Sequence, residues 1–258
     1  MINAELHRQP VMLDRKKHQH LKLRRDVNPL AAGAGLNAFF IAGSEFADAC
    51  KTYPIVFLPS GKDANGQAQA LPVAVFGLNP GENLFWQDGR WDAAYVPAML
   101  RAYPFTLSKV EGDQYAMCFD EAAPNLSTEQ GEPLFDAAGE PVPMLKELHE
   151  FVKQLEIEIE RTRLGCVRLL ELGLLVPRRF DATLSDGSSF SVDGFLMLDE
   201  DKLNKLPDTE LATLQRSGLL GLLHAHQISL GNMRNLINRR LSRAQAATDN
   251  ALASAASA

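Results

Sequence analysis

The stretch IVFLPSGKDANGQAQALPVAVFGL, residues 55–78, decides the fold class that the sequence predicts. Its two ends are apolar and rich in β-branched side chains, which is typical of strands. Between them, Asn65-Gly66 is a dipeptide that favours the tight turn of a hairpin. We therefore expect two neighbouring antiparallel strands in this part of the chain.

Further strand-like segments follow along the chain. QYAMCFDE at 114–121 is typical of a strand, and two strand-like runs flank Ser185-Asp186-Gly187 as a second hairpin. Just before the first hairpin, residues 38–58 predict a strand, a short helix and a strand. The sheet that these segments build is therefore expected to be mostly antiparallel.

Apolar residues at i, i+3 and i+4 spacing predict a long amphipathic helix over residues 143–172, ended by Gly173. Two further helices are expected near the C-terminus, the last interrupted near Gly231. Hairpins separated by helices indicate the α+β class rather than a doubly wound parallel sheet. The predicted fold is a mostly antiparallel sheet with a long amphipathic helix and C-terminal helices.

Composition divides the chain into a basic N-terminal arm, residues 1–28, a single domain, residues 29–242, and a disordered Ala-rich tail, residues 243–258. Within the arm, His18 and His20 alternate with lysines and arginines. A solvated edge strand explains this pattern better than a two-histidine metal site, because no carboxylate or cysteine lies at a ligand spacing.

The overall charge and the spacing of the cysteines limit the kinds of function and the cellular compartment that the sequence allows. The net charge of −6 argues against a broad nucleic-acid-binding face, which is normally basic. Three cysteines, Cys50, Cys118 and Cys166, have no CxxC spacing, so we expect free thiols in a reducing cytosol. No segment has the run of apolar residues that a membrane span needs. These features predict a cytoplasmic protein, although a C-terminal export signal would leave no such mark.

Catalytic motifs are missing from the sequence. There is no Walker A sequence, no G-x-S-x-G and no H-E-x-x-H. The formal G-x-G-x-x-A match at 33–38 lacks the preceding buried strand that a dinucleotide site requires. His224 and His226 are two apart on a predicted helix, so they point to different faces. We expect no metal and no cofactor.

The segment GENLFWQDGRWDAAYVPAMLRAYPF, residues 81–105, holds both tryptophans and two of the four tyrosines. We predict a rigid turn and helix here, the helix beginning near Asp92, with Trp91 and Tyr95 on one face. Tryptophan, tyrosine and arginine dominate binding hot spots, so these rings indicate a binding groove. The alternative, in which the rings are core packing, stays open. The candidate groove residues are Glu82, Trp91, Tyr95, Arg101 and Tyr103, with His226 as a secondary candidate.

Several strings in this region resemble the bacterial SapC family. They are YPIVF at 53–57, PVAVFGL at 72–78, GENLFW at 81–86, GRW at 89–91 and YVPAMLRAYPF at 95–105. The C-terminal run LDEDKLNKLPDTELATLQRSGLLGLLHAHQISL is similar to that family as well. The family often has two adjacent arginines before Tyr-Pro-Phe, whereas here Ala102 follows Arg101.

The resemblance implies a functional setting rather than a reaction. The family takes its name from surface-layer gene clusters, and related genes lie near TonB-dependent receptors, halogenase-like proteins and cupin-like dioxygenases. This setting implies an accessory role in handling peptides or surface proteins.

Three functional hypotheses follow from these observations. The first is a cytoplasmic accessory protein that binds a peptide or protein partner, linked to peptide modification or to surface receptors. The second is an enzyme of undetected type using Glu82, Arg101 or His226 on a small molecule or peptide. The third is a surface-layer-associated structural or export protein. The sequence does not determine the oligomeric state.

Overall fold

Antiparallel hairpins dominate the fold. The computed structural model describes residues 2–110, 114–183 and 189–256. The strands are β1 (Pro10–Met12), β2 (Lys22–Leu23), β3 (Ala38–Phe40), β4 (Ile55–Lys62), β5 (Ala68–Val75), β6 (Trp86–Gln87), β7 (Arg90–Trp91), β8 (Phe105–Lys109), β9 (Tyr115–Asp120), β10 (Leu126–Ser127), β11 (Glu132–Pro133), β12 (Leu175–Thr183) and β13 (Ser189–Leu198). The α-helices are α1 (Phe46–Ala49), α2 (Ala98–Ala102), α3 (Pro143–Glu171), α4 (Glu200–Asn204), α5 (Asp208–Ser217), α6 (Leu219–Ser229) and α7 (Asn232–Ala256). The named strands of the described chain pair antiparallel throughout, which confirms the predicted α+β class.

The hairpin predicted from residues 55–78 is formed by β4 and β5. Its turn is organised by the Asp63 carboxylate, which accepts hydrogen bonds from the N–H groups of Asn65 and Gln67, both at 2.9 Å. Gly66 has a φ of +79°, a left-handed conformation that glycine adopts without steric cost. The Asn65-Gly66 signal is therefore confirmed by the geometry of the turn.

The chain divides into two compact units. Unit 1 comprises Met1–Gly35 and Trp86–Arg161, and unit 2 comprises Leu36–Phe85 and Thr162–Ala258. The domain limits predicted from composition, at residues 28/29 and 242/243, stay predictions. Helix α7 runs through residues 243–256, most of the segment for which the sequence predicts a disordered tail.

Unit 1 contains a three-stranded sheet of order β1-β9-β8 and a small sheet of order β10-β2-β11. A buried cluster, Phe105, Phe119, Leu134, Phe135 and Leu145, forms its main core. The Tyr103–Pro104 peptide bond that precedes β8 is cis.

Unit 2 is built on a five-stranded sheet of order β12-β13-β4-β5-β3. One core cluster combines Val56, Val73 and Phe195 from three neighbouring strands. Tyr53, Phe76 and Phe85 form a second aromatic group, with the Tyr53 ring centroid 5.1 Å from Phe76 and 4.8 Å from Phe85. Edge-to-face contacts of this kind stabilise a core beyond simple burial.

The long amphipathic helix predicted over 143–172 is confirmed as α3, and it continues through Gly165. A Cβ atom at Gly165 would lie 2.7 Å from the Leu219 side chain, so the glycine permits close packing within unit 2 instead of breaking the helix. Gly173 ends the helix with a φ of +65°, and Leu174 N–H donates to the Leu169 carbonyl oxygen at 3.0 Å. Gly173 N–H also donates to the Leu170 carbonyl oxygen at 2.9 Å, and the two hydrogen bonds together form a Schellman motif.

The solvated edge strand predicted around His18 and His20 is wrong. Of residues 15–25, only Lys22–Leu23 form a strand, β2, and it is the central strand of its small sheet. His18 is buried outside any strand, its Nδ1 accepts a hydrogen bond from Asp14 N–H at 2.9 Å, and its ring packs edge-on to Phe119. The ring therefore belongs to the packing of unit 1.

The second predicted hairpin is formed by β12 and β13, which pair antiparallel as its two arms. Its predicted turn at Ser185-Asp186-Gly187 lies outside the described residues.

Candidate functional site

A tight hairpin carries both tryptophans. In it Trp86 of β6 pairs with Trp91 of β7. The turn between the strands has positive φ at Asp88 (52°) and Gly89 (73°), the pattern of a type I′ turn. Asn28 donates a side-chain hydrogen bond to the Gly89 carbonyl oxygen at 3.0 Å. The hairpin is therefore fixed both by its own turn and by a neighbouring loop of unit 1.

The helix predicted to begin near Asp92 is wrong. Helix α2 begins only at Ala98, after Pro97 at the N-cap, and Trp91 belongs to a strand. A residue before proline is disfavoured in helical conformation, so Pro97 keeps Val96 extended and delays the helix. Trp91 and Tyr95 consequently do not share a helix face.

Arg101, in the last turn of α2, is exposed and held by two aromatic rings. Its guanidinium carbon lies 5.8 Å from the centroid of the Tyr95 ring and 5.3 Å from that of Phe151. Its Nε donates a hydrogen bond to the Val96 carbonyl oxygen at 3.1 Å. Cation–π contacts at an exposed site such as this one contribute little, about 0.5–1 kcal/mol. Together these contacts restrict a side chain that is otherwise flexible.

The two terminal nitrogens of Arg101, Nη1 and Nη2, bind no acceptor within residues 2–110, 114–183 and 189–256. A guanidinium presents its donors as a planar fork that matches a carboxylate or a phosphate. The contacts with Tyr95, Phe151 and Val96 hold this fork in place before any ligand arrives. The site can therefore bind an oxyanion with little loss of side-chain entropy.

The sequence did not indicate Phe151 as part of this site. Phe151 lies on the apolar stripe of α3 and shares the i, i+3, i+4 spacing of the remaining core positions on that helix. Only its contact with Arg101 distinguishes it.

The hairpin also lines a groove of about 450 Å³, formed by Gln87, Asp88, Arg90, Trp91 and Asp92. Both tryptophans are half-buried. The Trp91 ring lies 3.4 Å from where a Cβ atom of Gly33 would stand, and Leu100 lies against the same glycine. Trp91 therefore has one side in packing and another along the groove, and its predicted role in binding stays a prediction.

Tyr103 lies in the interior of unit 1, with 6% of its surface exposed. Its hydroxyl donates to Asp120 Oδ2 at 2.9 Å, and Asp120 Oδ1 accepts the Gln9 N–H at 2.7 Å. Burial, together with the bond to Asp120, raises the pKa of Tyr103. Burial alone would raise the pKa of Asp120, but the hydrogen bonds from Gln9 and Tyr103 outweigh it and lower that pKa. Tyr103 anchors the sheet and does not line a groove.

His7 joins this buried group. Its ring centroid lies 5.9 Å from that of Tyr103, and burial lowers its pKa. Within the described residues its Nε2 has no hydrogen-bond partner. His7, Tyr103 and Asp120 would make an acid–base cluster, but their exposed fractions are 2%, 6% and 0%. A substrate could not reach them unless this part of the unit opened.

Glu82 belongs to unit 2, whereas Trp91, Tyr95, Arg101 and Tyr103 belong to unit 1. Its carboxylate accepts hydrogen bonds from the N–H groups of Leu78 (2.8 Å) and Asn79 (3.2 Å). The same carboxylate lies 3.8 Å from Nε of Arg240 on α7. Through these contacts the Glu82 carboxylate stabilises its own loop.

His226 is fully buried in unit 2. Its Nδ1 is placed to donate to the Ile55 carbonyl oxygen at 2.7 Å, and its Nε2 accepts the Leu198 N–H at 3.3 Å. Burial lowers its pKa, so the ring is neutral and both nitrogens are occupied. His224 is exposed, which confirms that the two histidines point to different faces. His226 therefore links α6 to strands β4 and β13, and its buried ring is inaccessible to a ligand.

No group of three or more metal-ligating side chains converges within the described parts of the chain. None of the helices among those same residues combines the length and apolar character needed to cross a bilayer. Of the predicted site residues, the structure brings Tyr95 and Arg101 together, while Glu82, Tyr103 and His226 serve packing and loop closure.

A family model described as SapC matches residues 13–236, most of the chain. No curated protein matches the chain. No solved structure matches it either.

Proposed function

The chain belongs to the SapC family, and we propose that it is an accessory binding module that captures a peptide or protein partner. The partner presents a carboxylate, which Arg101 holds through its two terminal nitrogens. The observation that carries the proposal is the Arg101 fork, which two rings and a carbonyl oxygen hold while its outer donors bind no acceptor within the described residues.

The surroundings of Arg101 favour a peptide over an isolated small anion. Tyr95 and Phe151 offer aromatic surface directly beside the charge. Leu100 and Trp91 both lie against Gly33, so the hairpin groove of about 450 Å³ is a neighbour of α2. Arginine with tyrosine and tryptophan is the composition of interface hot spots. A peptide would meet ionic and aromatic contacts within one unit.

A location in the cytoplasm is part of the proposal. It is supported by Cys50, Cys118 and Cys166, which are free and buried. Reduced thiols are the normal state of cysteine in a cytosol.

Selection from a displayed random peptide library tests the proposal, because it does not require an identified partner. We expect the native protein to enrich peptides that carry an acidic side chain or a free C-terminal carboxylate. Arg101→Gln should weaken binding of the enriched peptides by about tenfold or more, since hydrogen bonds to charged groups contribute roughly 1.5–3 kcal/mol. Arg101→Lys should not restore it, because an ammonium lacks the planar fork.

Arg216→Gln is the matched control. Arg216 is an exposed arginine of α5 with no ring contact or ion pair within the described residues, so its removal changes net charge equally. Equal binding by the native protein and Arg101→Gln would refute the proposal. Equal loss in Arg101→Gln and Arg216→Gln would do the same, because it would show only a nonspecific charge effect.

A further inference from the structure

A second groove lies in unit 1, at the start of α3. It has a volume of about 360 Å³, within the roughly 300–1,000 Å³ typical of small-molecule sites. Its wall is mainly apolar, with Leu13, Met117, Phe135 and Leu145 among the lining residues. Phe135 and Leu145 belong to the buried core cluster, so the floor of the groove is a rigid surface.

The rim of this groove carries polar side chains. Arg15, Lys146 and His149 lie there together with one carboxylate, Asp14. The Asp14 Oδ1 atom accepts hydrogen bonds from the N–H groups of Lys16 and Lys17, both at 2.8 Å, so it is committed to the local turn.

The nitrogen-bearing side chains of the rim differ in their partners. Arg15 forms an ion pair with Glu140 at 2.8 Å, and the Nδ1 atom of His149 lies 4.0 Å from Glu150. Lys146 is exposed, and its ammonium has no acidic partner in the chain segments that the structure describes. Lys146 is therefore a rim cation that a ligand can neutralise.

We infer that this groove binds a small amphiphilic acid, with its apolar body on Leu13, Met117 and Leu145 and its carboxylate beside Lys146. An apolar wall with a few polar groups at one end is the usual design of a small-ligand site. The ammonium of Lys146 matches a single negative charge. This site is separate from the proposed peptide site at Arg101.

An extended peptide fits the groove less well. The neighbouring edge strand, β1, has only three residues and begins with Pro10, which lacks an N–H group. Such a strand offers little backbone for the addition of another strand.

Titration with octanoate tests the inference, using calorimetry for affinity and the methionine methyl resonances for location. Octanoate should bind saturably and shift the Met117 methyl resonance while leaving that of Met99, which is buried outside this groove, unchanged. Acetate has the charge without the tail, and octylammonium has the tail with the opposite charge. Both should bind much more weakly than octanoate.

Lys146→Gln should weaken octanoate binding by about fivefold, the size expected when one exposed ion pair is lost. Lys153→Gln is the matched control, since Lys153 is an exposed lysine on the same helix and does not line the groove. Equal affinity for octanoate and octylammonium would overturn the inference. So would an unmoved Met117 methyl resonance or unchanged affinity in Lys146→Gln.

Discussion

Arg239 and Arg101 both stack on aromatic rings, and they differ in what their remaining hydrogen-bond donors do. In unit 2, the guanidinium carbon of Arg239 lies 4.5 Å from the centroid of the Phe85 ring, and Nη1 donates to the Leu84 carbonyl oxygen at 3.4 Å. In unit 1, Arg101 contacts the rings of Tyr95 and Phe151, but its terminal nitrogens bind no acceptor in the described chain.

The neighbours of Arg239 extend this contrast. Arg243 donates to the Asn83 carbonyl oxygen at 3.0 Å, and Arg240 lies near Glu82. Three arginines of α7 thus hold the loop 82–85 within unit 2. The same pair of residue types, arginine beside an aromatic ring, is a structural clamp in one unit and, in our proposal, a binding fork in the other. Satisfied donors indicate a structural role, whereas exposed donors that lack a protein acceptor are accessible to water or to a ligand.

The largest effect is expected at the loop that the α7 arginines hold. A Cβ atom on Gly77 would overlap the carbonyl oxygen of Glu82, and neither backbone segment can move without opening the loop. Gly77→Ala should lower the free energy of unfolding by about 3 kcal/mol or more, measured by urea denaturation. Gly35→Ala is the control: Gly35 has open space around it and should change stability by less than about 0.5 kcal/mol. Similar values for both variants would show that the loop is not a tight structural element.

Arg239→Gln should destabilise the protein by about 1–2 kcal/mol. It removes a half-buried cation–π contact with Phe85 and weakens the hold on the Leu84 carbonyl oxygen. The measurement is the midpoint of urea unfolding at an unchanged slope. If Arg239→Gln were as stable as the native protein, Arg239 would have no structural role, and the contrast with Arg101 would not hold.

A mildly acidic pH should lower the free energy of unfolding. Burial lowers the pKa of His7 and of His226 from the ordinary 6.5. The unfolded chain therefore binds protons more readily, so the stability is complete above about pH 6.5 and falls as the pH decreases below it. Unfolding free energies from pH 7.5 to 5.5 should show this decline, and it should be less steep in His226→Gln. A flat profile in the native protein would contradict the burial of both rings.

The smallest effect on stability is expected at Arg101. Because its side chain is exposed, Arg101→Gln should change the free energy of unfolding by less than about 1 kcal/mol, while peptide binding weakens by about tenfold or more. Thermal unfolding of the same preparations used for peptide binding provides the comparison. If Arg101→Gln lost as much stability as Arg239→Gln, Arg101 would also have a structural role in the fold.

Local patterns in the sequence were sufficient to predict most of the longer helices and strands. The apolar spacing in α3, the Asn65-Gly66 turn and the stop at Gly173 depend on residues within about four positions of each other. The helix predicted to begin near Asp92 is wrong for a local reason too, because Pro97 disfavours helical conformation at the residue before it.

The roles of the candidate residues were decided by contacts between distant parts of the chain. Glu82 pairs with Arg240, Arg101 lies against Phe151, and His226 bonds to strands β4 and β13. The sequence by itself determined the β4–β5 hairpin, helix α3 and the SapC resemblance, because each depends on the order of residues along the chain. Only the tertiary structure decided which charges are satisfied, because hydrogen-bond partners are set by proximity in space. That proximity leaves the Arg101 fork open to a ligand.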